Sequence, residues 1–130
     1  MPQKDIEIIL ARQLASSLAA PIFIVDPEGT LVFYNEPAEV ILGQRFEETG
    51  EMTIAEWAAT FKPMNEKGEP LAADGLPLVI ALKEHRLAHR NFWIRGLDNT
   101  LRQIQVTGFP LVAQADRLLG AVAIFWEVKD

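Results

Sequence analysis

Few side chains in this 130-residue chain could do chemistry, and they are poorly grouped. Its two histidines, His85 and His89, stand four apart. On one helical face that spacing would suit a metal ion. Their neighbours Glu84, Arg86 and Arg90 are charged and His89 opens a β-rich run, so both read as surface histidines. For acid–base work the candidates are Asp26, Glu127 or a histidine. Asp26 begins Asp26-Pro27-Glu28-Gly29, a turn with proline second and glycine fourth, where a carboxylate accepts main-chain N–H groups. Glu127 reads as the polar end of a late strand. The only serines, Ser16 and Ser17, sit in a helical pattern with no histidine near them in sequence. No nucleophile–base pair is visible, which leaves a small cavity enzyme as the weaker reading. Without a cysteine, disulfides, thiolate catalysis and zinc ribbons are excluded together.

The elements that must position these residues follow from periodicity. Composition is that of one globular domain, 49% hydrophobic and 23% charged. The longest apolar runs, such as Ala121 to Trp126, are far too short to cross a membrane as a helix. Asp5, Glu7 and Arg12 interrupt what would have to be the apolar core of a secretory leader, so a cytoplasmic protein is expected. Ile6, Leu10, Leu14 and Leu18 instead recur every four residues and predict an amphipathic helix over 5–19, ended before Pro21. Ile22 to Val25 and Leu31 to Tyr34 predict a β-hairpin around the Asp26 turn. Asn35 is placed to cap a helix that Gly43 ends, with Val40, Ile41 and Leu42 expected to bury. Further helices are expected over 53–61, with Trp57 and Phe61 on one face, and over 76–84. A connecting segment runs from Lys62 to Gly75. Three antiparallel strands, at about 89–96, 100–109 and 118–128, complete an α+β fold with one antiparallel sheet.

The charge is uneven. Residues 1–75 hold 5 Lys/Arg against 13 Asp/Glu, whereas residues 76–130 hold 7 against 5, within a net charge of −6. An acidic solvated half is the expected meaning, and a nucleic-acid footprint, which needs a basic face, is not expected.

The ordered string Asp26-x-x-Gly29-x-Leu31-x-x-x-Asn35-x-x-Ala38-x-x-x-Leu42-Gly43 resembles the amino-terminal signature of PAS domains. Leu76-Pro77 opening a helix, Asp98 in a hairpin, Pro110-Leu111 and Gly120-Ala121-Val122 are similar to the carboxy-terminal half. Asn99 stands where the family usually has glycine, and Glu127 and Lys129 depart from its terminal Asp-Ile-Thr. The resemblance implies a five-stranded antiparallel sheet flanked by short helices, with a cavity between them. It divides the chain into an N-terminal helix, 1–20, and a PAS domain, 21–130. It also implies a sensory or dimerising module of signal transduction, seldom catalytic, working through an effector domain or a partner signalling protein. The chain stops where such a module would pass into an effector, which suggests an excised or stand-alone module.

By the family's pattern Phe92, Ile94, Ile104, Val106, Ala123 and Phe125 face the cavity, joined by Phe23, Val25, Leu31 and Phe33 from the first hairpin. That lining is apolar and would be filled by its own side chains or by a small hydrophobic ligand. A flavin's polar edge and phosphate would find no partners there. The flavin-adduct and coumaric-acid photochemistries of the family need a cysteine and are excluded. A haem-binding gas or redox sensor would draw its axial ligand from the helix at 76–84, leaving His85 as the alternative ligand. Trp93, Val122, Ile124 and Trp126 form an apolar patch on the opposite sheet face. Together with the stripe Ile6, Leu10, Leu14 and Leu18, this patch predicts a homodimer.

Overall fold

A computed structural model describes residues 13, 14 and 18–128. Five strands, β1 (Ile22–Val25), β2 (Leu31–Tyr34), β3 (Ala88–Arg95), β4 (Leu101–Val112) and β5 (Leu118–Glu127), form one sheet in the order β2-β1-β5-β4-β3. Every neighbouring pair is antiparallel. Four helices separate β2 from β3: α1 (Glu36–Leu42), α2 (Phe46–Thr49), α3 (Ile54–Phe61) and α4 (Pro77–Glu84). The helix expected over 5–19, with Ile6 and Leu10, lies outside the described residues except at its end. Gln13 and Leu14 there are helical, and Leu14 and Leu18 are exposed.

The first hairpin forms as its turn chemistry requires. The Asp26 carboxylate accepts the N–H groups of Glu28 and Thr30 at 2.9 and 3.0 Å, an Asx-type turn. The strands are not in simple alternation, however. Ile24 pairs with Phe33 and Val25 with Leu31, so Val32 is an extra residue and β2 is bulged. Leu31 and Tyr34 therefore join the core between sheet and helices, whereas Val32 and Phe33 belong to the opposite face. This corrects the expected cavity position of Phe33, which instead packs edge-on against Phe46. A bulge moves every residue beyond it to the other face, and period-two reading cannot see it.

Asn35 begins α1 by accepting the Ala38 N–H, and Gly43 ends it at φ 83°, donating to the Glu39 carbonyl. Ile41 and Leu42 bury as expected, but Val40 is 70% exposed. It falls outside the i, i+3, i+4 face that Ala38, Ile41 and Leu42 bury, and so points to solvent. The four-residue α2 carries no periodic apolar signal. The Glu39 carboxylate accepts its Phe46 N–H at 3.1 Å. Thr53 and Glu56 exchange side-chain and main-chain bonds at the start of α3, a capping box.

The β4–β5 hairpin turns through Ala115 and Asp116, both left-handed at φ 60° and 56°. Two consecutive left-handed residues are the geometry that favours Asn-Gly, because alanine holds it at a cost of about 1 kcal/mol. The double variant Ala115→Asn, Asp116→Gly is expected to gain about 1 kcal/mol, read as a raised urea midpoint with unchanged m-value. A lower midpoint would show that these side chains make a contact worth more than the strain.

Candidate functional site

Between the inner sheet face and the helices lies a cavity of about 60 Å³. Its position depends on a close approach: a Cβ on Gly108 of β4 would lie 2.8 Å from the main-chain carbon and oxygen of Pro77. Only a residue without a side chain lets the start of α4 settle on the strand there. Phe92 and Ile94 (β3), Ile104 and Val106 (β4), and Ala123 and Phe125 (β5) form the floor, with Phe23 from β1. These seven are sequence-predicted positions that the fold brings together.

Val25 and Leu31 are completely buried on the same side but pack within the core rather than lining the cavity. The residues of the roof are not among the expected cavity positions. Trp57 and Phe61 of α3 come from the face that their spacing marked, while Leu42, Pro63, Leu76, Pro77 and Leu78 close the rest. Their signal was weak, because prolines and loop-borne apolar residues have no period.

The rings are held in fixed relation. Phe23 meets Trp57 edge-on at 5.4 Å and Phe61 at 6.4 Å, and stacks on Tyr34 at 6.1 Å. The Trp57 indole N–H leaves the apolar wall to donate to the Gly29 carbonyl at 2.9 Å. Tyr34 sends its hydroxyl to the Gln44 carbonyl at 2.7 Å, and burial raises its pKa, so it is a neutral donor at ordinary pH.

No lining residue among those described is titratable. The wall therefore offers neither an acid–base pair nor an axial ligand, and apolar contact is the chemistry it supports. His85 caps α4 at φ 54° and is exposed. His89 is exposed on β3, where its Nδ1 bonds the Thr107 hydroxyl at 2.8 Å. Neither lines the cavity, nor do Asp26 and Glu127, and no cluster of potential metal ligands occurs among the described residues.

A polar node sits outside the cavity. Arg102 donates to the Ile41 carbonyl at 3.0 Å and to both Asp98 carboxylate oxygens at 3.2 and 3.0 Å. Its Nε lies 3.7 Å from Glu127 at the end of β5. The node thus ties the β3–β4 hairpin, α1 and the last strand together. The Arg102 hydrogen bond holds the Asp98 carboxyl below the usual carboxylate range. Such a group stabilises the fold above its unfolded pKa, about 3.9, and that contribution is lost as pH falls through the lower folded value. In thermal melts from pH 7 to 3, Arg102→Gln is expected to flatten the acid limb below about pH 4. An acid limb as steep as the parent's would remove Asp98 from the account.

The opposite sheet face departs from expectation. Val122 is not exposed there but is buried with Ile22, Ile24, Val32 and Leu119. Ile124 and Trp93 are half-buried. Trp126, 43% exposed, donates its indole N–H to Gln105 at 2.8 Å. The apolar part thus spans β2, β1 and β5, and the side toward β3 carries amides and charges. No helix among the described residues is long and apolar enough to cross a membrane.

No protein-family model matches the chain. No curated protein matches it either. Solved structures do. A LOV protein of Rhodobacter sphaeroides superposes with a TM-score of 0.73 at 13% identity, over 96% of this chain and 69% of that one. The PAS domain of Bordetella pertussis BvgS gives 0.70 at 16% identity, over 97% and 89%. The PAS domain of nitrogen regulation protein NR(II) from Vibrio parahaemolyticus gives 0.62 at 14%, over 92% and 98%. At such identities the likeness is one of architecture, and it agrees with the strand order, the helices between β2 and β3, and the cavity between the layers: this chain has the PAS-domain fold.

Proposed function

We propose that this chain is a non-catalytic sensory and dimerising module of a cytoplasmic signal-transduction protein, acting on an effector domain or a partner signalling protein. The observation that carries the reading is the cavity wall, which is apolar throughout and presents no titratable group. Enzymatic sites converge polar groups with shifted pKa values on a pocket, and here the polar node lies elsewhere. A nitrogen regulation protein is among those whose PAS domain this fold resembles, which supports a regulatory setting.

Ligand pockets span roughly 300–1,000 Å³. A cavity of about 60 Å³ is one that side chains nearly fill, and a guest must be a small hydrophobe or must displace a ring. Dimerisation rests on two surfaces. The stripe Ile6, Leu10, Leu14 and Leu18 needs an apolar partner, and the half-exposed Ile124, Trp126 and Trp93 offer one beside the buried Val122.

Native mass spectrometry paired with a UV–visible spectrum tests both parts. The expected mass is twice 14.5 kDa, with no absorption beyond the aromatic band. A flavin or Soret band would overturn the apolar-cavity reading. A single 14.5 kDa species at high concentration would overturn the dimer.

A further inference from the structure

We propose that the free edge of β3 is a docking site for an acidic, extended peptide segment of a partner protein. β3 is an outer strand of the sheet, so half of its main-chain groups point away from β4. Which half is fixed at two places. Gly96 donates to Thr100 across the hairpin, and Trp93 exchanges both of its main-chain bonds with Met64, at 2.8 and 2.9 Å, on the outer side. Antiparallel alternation then turns the N–H and C=O of Asn91 and His89 outward as well.

Met64 shows that this edge accepts a paired strand, but the chain's own cover stops there. In an antiparallel register Met64 opposite Trp93 would bring Glu66 opposite Asn91. The Asn65 carboxamide oxygen instead accepts the N–H groups of Lys67 and Glu69 and folds the segment back on itself. Among the described residues nothing pairs with the outward main chain of His89 or Asn91, and residues 89–91 are exposed. Unpaired edge groups in a row are a template for strand addition.

Charge selects the occupant. From His85 to Arg95 the chain carries three arginines, two histidines and no carboxylate, within a protein of net charge −6. Arg90 lies between the two free positions and spends one donor on the Gly75 carbonyl at 3.1 Å. Arg86 is paired with Glu84 and Lys83 with Asp74, both at the surface. Arg95 leans on Asn99. A second copy of the chain fits poorly, because antiparallel pairing about Arg90 would set it against its own equivalent, and like charges directly opposite destabilise a sheet pair. An incoming strand with carboxylates on alternate residues carries them all on one face and can set one beside Arg90 instead.

The test uses the ¹⁵N-labelled full chain and two capped peptides, one of four Glu-Val repeats and one of four Lys-Val repeats. The Glu peptide is expected to shift the amides of His89 and Asn91 saturably, and the Lys peptide to leave them unmoved. Asn91→Pro removes an outward N–H that the β4 ladder does not use, and should abolish binding. Arg90→Glu keeps the strand and should weaken binding at least about tenfold, which holds the proposal open to refutation even if the proline variant fails to fold. Equal binding of both peptides, undiminished binding to Arg90→Glu, or no saturable shift overturns the proposal. Concentration-dependent shifts at the same amides without peptide would assign the edge to a second copy instead.

Discussion

Trp57→Ala is expected to lose about 4 kcal/mol, the largest effect of any single truncation in the cavity wall. Trp57 is 5% exposed, packs edge-on against Phe23 and closes the roof from α3. Its removal deletes an aromatic side chain and leaves the Gly29 carbonyl without the indole donor. The loss corresponds to roughly 15 °C in melting temperature for a domain of this size. Trp57→Phe separates the two parts, since it retains most of the packing and gives up only the hydrogen bond, at about 1–2 kcal/mol. The enlarged cavity of Trp57→Ala should also admit benzene, as dry engineered cavities of about 150 Å³ do. A benzene-dependent rise in melting temperature is expected for the variant and not for the parent. A loss below about 1 kcal/mol would mean that α3 collapses onto the sheet, and would remove the roof as a rigid wall.

Asn35→Ala should cost about 3 kcal/mol, although it removes only a few atoms. Asn35 is the one buried polar residue among those described, 1% exposed. Its carboxamide oxygen accepts the Ile22 N–H at 2.9 Å and the Ala38 N–H at 3.3 Å, and its amide donates to the Ala20 carbonyl at 2.9 Å. One side chain therefore caps α1, anchors the start of β1 and holds the segment that enters the sheet. Alanine would orphan buried main-chain groups, and each costs about 1–3 kcal/mol. Asn35→Asp is the informative companion. It keeps an acceptor for the helix but turns an oxygen toward the Ala20 carbonyl, so it should recover only part of the loss. Chemical denaturation measures both, and an alanine variant within about 1 kcal/mol of the parent would show that water replaces the carboxamide.

These two residues mark how far the amino-acid order could be read. Asn35 was legible as a helix cap, because its chemistry acts on residues three away. Its hold on Ile22 and Ala20, 13 and 15 residues back, was not. Trp57 was legible as one face of α3, but its contact with Phe23 depended on how α3 crosses the sheet. Phe33 shows the sharper limit. The family's pattern placed it in the cavity, and the single extra residue Val32 sent it outward. Val122 was placed correctly on the outer face, yet it is buried there with Ile22, Ile24, Val32 and Leu119. The order of strands assembles that cluster, because β1 inserts between β2 and β5.

Local chemistry settled a large share of this protein unaided. Turn residues, caps and periodicity act over a few positions, so the strands, three of the four helices and the apolar character of the floor followed from residue order. The absent cysteine ruled out adduct photochemistry before any fold was known. The tertiary structure alone decided the size of the cavity, the face taken by residues near the bulge, and the Arg102 node. It also decided that the basic stretch from His85 to Arg95 lies along a sheet edge. Each of these depends on elements distant in sequence meeting at ångström precision, and no local propensity encodes that meeting.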